Sequence, residues 1–159
     1  MLNIFEADLS NTTHTSAIIE LLNIYAMELV GGGEELQGFV KKNLIPKLKE
    51  RRDCLVFLAF DNSTPAGLIV GFEGFSTFLC KPLLNIHDFV VAPNYRGQGL
   101  ALKLLKKAEA IAKERDYCKL TLEVLEGNES AKSVYHRFGF EPYHLNPKMG
   151  KAFFWEKKL

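Results

Sequence analysis

One stretch limits the fold of this chain more than any other. Residues 90–101 read Val-Val-Ala-Pro-Asn-Tyr-Arg-Gly-Gln-Gly-Leu-Ala, which predicts a buried strand, a tight turn and then a helix with small residues in its first turn. The first backbone N–H groups of a helix lack intrahelical partners and lie at the positive end of its dipole. Because Gly97, Gly99 and Ala101 leave the space in front of these groups clear, the turn is suited to hold a pyrophosphate.

The residues after this turn repeat with the period of a helix. Apolar side chains return every three or four positions, which places them on one face over about three turns. They are Ala101, Leu104, Leu105, Ala108, Ile111 and Ala112. The turn has neither the Gly-Lys-Ser/Thr of a nucleotide P-loop nor the sequence Gly-x-Gly-x-x-Gly. A purely structural turn is the alternative to anion binding, and a second motif further along the chain favours anion binding.

Three segments taken together resemble the GNAT superfamily of acyl-CoA-dependent N-acyltransferases. They are the strand Leu84–Val91, the turn Arg96–Ala101 and the segment Asn128–Phe140. The turn fits the pattern (Gln/Arg)-x-x-Gly-x-(Gly/Ala), and the third segment is similar to the signature Asn-x-x-Ala-x-x-x-Tyr-x-x-x-Gly-Phe. The resemblance implies one domain over residues 1–159, with a mixed and mostly antiparallel central sheet, a splayed parallel strand pair, and helices on both faces.

The order of the predicted elements indicates an α+β fold, because a hairpin precedes a βαβ unit. The predicted strands are short apolar runs: Met1–Asp8, Cys54–Phe60, Ala66–Phe75, Leu83–Val91, Cys118–Leu125, Phe140–His144 and Ala152–Lys157. Besides the helix after the glycine turn, the predicted helices are Thr13–Leu29, Glu34–Lys49 and Asn128–Phe138. We expect Ser10 or Thr12 to cap the first of these, and Pro46 to interrupt or kink the second.

The resemblance implies acetyl-CoA as the cosubstrate. Its pantetheine arm is expected between two splaying strands, paired with the backbone of Phe89–Val91, and its pyrophosphate in the cradle Gly97–Leu102. The residues assigned to acetyl-CoA binding are Phe89, Val90, Val91, Arg96, Gly97, Gln98, Gly99, Leu100, Ala101, Leu102, Asn128 and Ala131. His14, His136 and His144 lack metal-ligand spacing and are assigned no role, so no metal is expected.

Asn128 and Tyr135 lie seven residues apart, which places them on one helix face about 10 Å apart at a rise of ~1.5 Å per residue. Asn128 is expected to cap the helix, either as its only role or while also facing the pantetheine. By resemblance, Tyr135 is the general acid that protonates the departing CoA thiolate. The alternative is a tyrosine packed in the core, because Tyr135 shares its face with other apolar residues.

His87 and Asp88 precede the glycine turn, and strand alternation sends them to opposite faces. An amine acceptor must lose a proton before it attacks a thioester, and a histidine of reference pKa ~6.5 is a suitable base, directly or through water. A hydrogen-bonded strand histidine is the alternative. The spermidine/spermine N-acetyltransferases look locally similar, with a run comparable to Gly74–Phe78, but they carry Glu-Asp where this chain has His87-Asp88.

These features predict transfer of an acetyl group to a primary amine, most simply a small molecule, by direct attack. The alternatives are a peptide lysine or N-terminus as acceptor, and a non-catalytic acyl-CoA sensor. Glu34 and Glu35 either attract a cationic amine or act as first-turn carboxylates that complement a helix dipole. A homodimer is common in the superfamily, and the sequence leaves the oligomeric state open.

Composition excludes several classes of protein. At 159 residues the chain fits one domain, and its formal net charge of +1 does not indicate nucleic-acid or anionic-membrane binding. Three isolated cysteines favour a reducing compartment. There is no basic region followed by an apolar run at the start, and no apolar run of the ~20 residues that span a bilayer, so we expect a cytoplasmic protein.

Overall fold

A computed structural model describes residues 1–143 and 146–159. These residues form two compact units, Met1–Leu122 and Glu123–Leu159, which we describe separately. One domain over residues 1–159 remains a prediction.

The first unit is built on a five-stranded sheet in chain order. Its strands are β1 (Leu2–Glu6), β2 (Cys54–Asp61), β3 (Thr64–Ser76), β4 (Lys81–Val91) and β5 (Leu120–Leu122). Its helices are α1 (Thr12–Met27), α2 (Gly38–Glu50) and α3 (Leu100–Glu114). The first three strand pairings are antiparallel and the β4–β5 pairing is parallel. The predicted α+β class, with a mixed and mostly antiparallel sheet, is confirmed.

The two faces of the sheet are covered by different helices. On one face, buried side chains of α1 pack with alternate residues of β2, β3 and β4. They include Ile18, Leu21, Val56, Leu58, Leu68, Val70 and Val90. On the opposite face α3 approaches the sheet so closely that a Cβ placed on Gly67 would lie 2.7 Å from Leu104 Cδ1. The amphipathic pattern after the glycine turn therefore predicted a helix that does cover the sheet.

Helix α1 begins one residue earlier than predicted and has a different cap. Asn11 Oδ1 accepts hydrogen bonds from the N–H groups of Thr13 (2.9 Å) and His14 (3.3 Å), so the prediction of Ser10 or Thr12 as cap was wrong. Asparagine caps helices as well as serine does. The Ser10 hydroxyl donates its hydrogen bond to Asp8 Oδ1 and does not cap the helix.

Helix α2 begins at Gly38, later than the predicted Glu34. The preceding residues form a glycine-rich loop, in which the N–H groups of Gly33 and Glu34 bond to the Ala26 carbonyl (3.0 and 3.1 Å). Glu34 and Glu35 therefore lie outside the first turn of α2, and their interpretation as first-turn carboxylates was wrong. Pro46 lies inside the helix.

The second unit contains α4 (Glu129–Phe138) and a short 3₁₀ turn, Pro147–Met149. Of the predicted strand Phe140–His144, His144 lies outside the described residues and the rest forms no strand; Ala152–Lys157 is also non-strand and exposed. A strand needs a ladder of hydrogen bonds, and the described residues of these two segments are not assigned to one; Ala152 N–H bonds to Tyr143 O at 3.4 Å. Alternating aromatic residues alone were therefore not enough to predict a strand in these segments.

None of the helices in the described part of the chain is long and apolar enough to cross a bilayer.

Candidate functional site

The parallel ladder between β4 and β5 covers only the first half of β4 and stops where β5 ends, at Leu122. Their parallel ladder pairs Leu84–Ile86 with Leu120–Leu122, and the side chains of Asn85 and Thr121 bond across it at 3.1 Å. Beyond Ile86, β4 continues to Val91 and pairs with β3 alone among the described strands. The edge of β4 that would face β5 is therefore outside any described ladder from His87 to Val91, which includes the predicted pantetheine-pairing residues Phe89–Val91.

A β-bulge lies in β4 directly after the end of this parallel ladder. In the β3–β4 ladder Val70 pairs with Asp88 and Gly71 pairs with Ile86, which leaves His87 as the extra residue. The bulge breaks the alternation of side chains, and the prediction that His87 and Asp88 point to opposite faces was wrong. His87 contacts the Phe72 ring edge-on at 5.6 Å between centroids, and Asp88 opposes Val70. Both Phe72 and Val70 belong to the α1 face of the sheet.

Burial and neighbouring charge tune the groups around this bulge. Burial raises the pKa of the Asp88 carboxyl above its usual value, and the nearby His87 opposes that rise. Burial also raises the pKa of the Tyr25 hydroxyl on α1, and the carboxylates of Asp88 and Glu28 raise it further. The raised pKa values of Tyr25 and Asp88 thus belong to side chains at the end of α1 and at the bulge of β4. Sequence reasoning did not find Tyr25, because its interaction with Asp88 joins two segments that are far apart in the chain.

The glycine turn presents a row of backbone donors to solvent. Gly97 and Gly99 have φ of +72° and +77°, and a Cβ at either would meet no heavy atom within 4 Å. Residues 96–99 form a turn, in which no N–H group from Gly97 to Leu102 makes a short, well-aligned hydrogen bond to a residue within 1–143 and 146–159, whereas Lys103 N–H bonds to Gly99 O at 3.2 Å. Unpaired donors at a helix start beside open space are what a pyrophosphate requires.

The polar side chains of the turn are engaged with the protein itself. Arg96 donates its Nε–H to the Val91 carbonyl at 2.9 Å and forms an ion pair with Glu28. Gln98 donates to the Asn94 carbonyl at 2.8 Å. The donors that face outward are therefore the backbone groups, as the small residues of the motif predict.

In the second unit, the signature helix has well-formed ends. Asn128 caps α4, as predicted, and its Oδ1 accepts from Ala131 N–H at 3.2 Å. At the other end Gly139, with φ of +104°, donates to the His136 carbonyl at 3.0 Å, and Phe140 donates to the Tyr135 carbonyl at 2.9 Å. These are the bonds of a Schellman ending, which explains the Gly-Phe of the signature. The half-buried ring of Tyr135 packs edge-on against Phe140 at 5.8 Å.

Comparison with known proteins bears directly on these features. The acetyltransferase (GNAT) family profile matches residues 18–140, which include β4, the glycine turn and the signature helix. The chain belongs to the GNAT acetyltransferase family. It is 29% identical to thialysine N-epsilon-acetyltransferase of Caenorhabditis elegans over 74% of this chain and 78% of that one. It is also 29% identical to the uncharacterized N-acetyltransferase YhfO of Bacillus subtilis, over 83% and 87% of the two chains.

Solved structures agree with the fold of this GNAT acetyltransferase. A crystal structure of a probable acetyltransferase superposes with a TM-score of 0.82 at 22% identity, covering 98% of both chains. An aminoglycoside acetyltransferase from an uncultured soil metagenomic sample superposes with a TM-score of 0.78 at 16% identity, covering 99% of this chain and 97% of that one. At these identities the likeness concerns the fold.

The first unit of this GNAT enzyme brings together His87, the backbone of Phe89–Val91 and the turn from Arg96 to Leu102. Asn128, Ala131 and Tyr135 share one helix in the second unit. Their catalytic and binding roles remain predictions. The described residues contain no group of three or more His, Cys, Asp or Glu side chains that could hold a metal ion.

Proposed function

We propose that this GNAT acetyltransferase transfers an acetyl group from acetyl-CoA to the primary amine of a small molecule, in the cytoplasm. The observation that carries the proposal is the row of N–H groups from Gly97 to Leu102, which make no short, well-aligned hydrogen bond to the described residues. The open space in front of Gly97 and Gly99 fits the pyrophosphate of this cosubstrate. The thialysine N-epsilon-acetyltransferase among its relatives supports a small amine as acceptor.

Each part of the site has a chemical task in this proposal. Acetyl-CoA supplies a thioester carbonyl that a neutral amine attacks, and its thiolate is the leaving group. The backbone of Phe89–Val91 holds the pantetheine arm and stabilises negative charge on the carbonyl oxygen. His87, directly or through water, accepts the proton that the amine loses, and the Asp88 carboxylate stabilises the resulting positive charge.

Tyr135 completes the proposed mechanism as the general acid. A phenol of reference pKa ~10 protonates a thiolate of pKa ~8.5 only where the surroundings favour the transfer. Asn128 and Ala131 on the same helix are proposed to contact the pantetheine. No covalent acetyl-enzyme forms in this scheme, because the amine attacks the thioester directly.

The experiment is a thiol-release assay with acetyl-CoA and a panel of thialysine, polyamines, amino acids, small amines and lysine peptides, with products identified by mass. Amine-dependent release with an acetylated small amine supports the proposal, and acetylation of the peptides alone moves the acceptor to a protein. Tight acetyl-CoA binding without turnover on any amine contradicts it and favours the sensor.

The variant Tyr135→Phe tests the general acid. General acid catalysis contributes typically 10²–10⁴-fold, so kcat is expected to fall by about 100-fold or more, while the acetyl-CoA Kd stays within about twofold. Equal turnover in the two proteins removes Tyr135 from the mechanism. In His87→Gln, loss of the acidic limb of the pH–rate profile identifies the base, and an unchanged profile assigns the proton to water.

A further inference from the structure

Arg96 connects the glycine turn to a distant loop. Its Nε–H bonds to the carbonyl of Val91, the last residue of β4, at 2.9 Å, and its Nη2 forms an ion pair with the Glu28 carboxylate. Glu28 directly follows α1, so the pair joins residues that are 68 positions apart. The Glu28 side chain is 28% exposed and the Arg96 side chain 47% exposed, so the pair is partly shielded from solvent.

Glu28 is also the residue that shapes the loop between α1 and α2, residues 28–37. Its carbonyl accepts from the N–H groups of Gly31 and Gly33, both at 2.9 Å. Gly32 and Gly33 have φ of +115° and +80°, and Leu29 is 94% exposed. The far end of the loop is held separately, because Leu36 packs against the core and its N–H bonds to Asn23 Oδ1 at 2.9 Å. The Glu28 side chain therefore bears on the first half of the loop, near Glu28 to Gly33.

The same end of α1 lies near the bulge of β4. Tyr25, one turn before Glu28, packs against the apolar cluster that includes Val70 and Val90, and Val70 pairs with Asp88, the neighbour of the candidate base His87. The start of the 28–37 loop is therefore near the proposed base. The Arg96 guanidinium is already balanced by a carboxylate and a carbonyl, whereas the pyrophosphate has six backbone donors available.

We propose that Arg96 and Glu28 are positioning residues, which hold the 28–37 loop against the end of β4 and couple it to the acyl-CoA turn. Neither side chain supplies charge for the pyrophosphate, so this proposal replaces the predicted role of the Arg96 side chain in acetyl-CoA binding. The inference rests on the proposed function in one respect: the glycine turn must be where acetyl-CoA binds.

The test compares Glu28→Gln, Arg96→Gln, the double variant and Arg96→Lys in the full chain. Hydrogen–deuterium exchange of residues 29–36 is measured with and without acetyl-CoA, and the acetyl-CoA Kd by calorimetry. Without ligand, Glu28→Gln and Arg96→Gln are each expected to speed exchange of the loop about threefold, because each loses a partly shielded ion pair. The double variant should exchange no faster than either, since both changes remove the same interaction. Arg96→Lys keeps the charge and restores slow exchange in part.

Coupling separates this role from a merely structural one. In the wild type, acetyl-CoA is expected to slow exchange in the loop. In Glu28→Gln and Arg96→Gln this slowing disappears although the acetyl-CoA Kd changes by less than about twofold. Glu109→Gln is the control, since it removes an ion pair with Lys113 within α3 and leaves the loop alone. It should behave as the wild type.

Two results would overturn the proposal. One is a loss of about tenfold or more in acetyl-CoA affinity in Arg96→Gln but not in Glu28→Gln, which would make Arg96 a phosphate ligand. The other is loop exchange that stays at the wild-type rate in both single variants. Failure of the wild type to bind acetyl-CoA would instead refute the proposed function. The exchange rates measured without ligand would still show whether the Arg96–Glu28 ion pair holds the 28–37 loop.

Discussion

Replacing Gly99 by alanine separates two demands that the glycine turn makes on the chain. Gly99 is the N-cap of α3 with φ of +77°, a conformation that costs an L-residue roughly 1–2 kcal/mol. Alanine also loses less conformational entropy on folding than glycine, which offsets about 0.4–1 kcal/mol. The net loss of stability is therefore about 1 kcal/mol, or a fall in Tm of about 2–4 °C for a chain of this size.

The effect on acetyl-CoA should be larger than this strain predicts. The new Cβ would occupy the open space in front of the N–H groups of Gly99 to Leu102, where the pyrophosphate is proposed to lie. The interaction of an anion with a helix start contributes up to ~2 kcal/mol of binding free energy in favourable geometries. Because the new Cβ would keep the pyrophosphate away, we expect the acetyl-CoA Kd to rise about tenfold. Calorimetry measures the Kd, and thermal unfolding without ligand measures the strain.

Gly33→Ala is the matched control. Gly33 has φ of +80° and likewise no heavy atom within 4 Å of an added Cβ, so the strain is the same, but it lies in the 28–37 loop. It should lose the same stability and keep the acetyl-CoA affinity. If both variants bind acetyl-CoA as the wild type does, the turn is not the pyrophosphate site and the reasoning from its unpaired donors is wrong.

Two further predictions concern groups whose pKa the fold changes. Because burial raises the pKa of Asp88, its contribution to stability is full below the unfolded-state value of ~3.9 and is lost as pH rises through the raised value. Asp88→Asn should therefore unfold at a higher temperature than the wild type at pH 7, and the difference in Tm should be smaller near pH 4. If the variant and the wild type have the same Tm at pH 7 as well as at pH 4, the prediction is wrong. Burial raises the pKa of the Cys54 thiol to about 11, so at pH 8 about one molecule in a thousand carries the thiolate. Iodoacetamide should modify the exposed Cys80 first and Cys54 only after denaturation, and equal rates in the native protein would refute the shift.

Sequence reasoning succeeded where local chemistry decides the structure. The glycine turn and α3 followed from small residues and an apolar period of 3.6, and Asn128 followed from the preference of asparagine for helix caps. Each of these signals lies within a few residues of the feature that it predicts. The GNAT signature then added the order of elements around them.

The remaining features depend on partners distant in the chain. The bulge at His87 exists only in the pairing of β4 with β3, and the Arg96–Glu28 pair joins two segments that no local pattern connects. The segment Ala152–Lys157 has the composition of a strand, but a strand forms only where a partner strand pairs with it, and composition does not supply that partner. The sequence therefore predicted which helices and turns the site contains, but not how the side chains within it are placed relative to one another.

The bulge also means that His87 is surplus to the sheet. Removing this one residue would place Ile86 and Asp88 side by side in the chain, opposite Gly71 and Val70, with every pairing that β3 and β4 make now preserved. Leu84, Ile86 and Val90 would stay on the faces that they already occupy. Deletion of His87 should therefore leave the β3–β4 register intact while it removes the candidate base. A one-residue insertion elsewhere in β4 should keep His87 but shift the register of the strand.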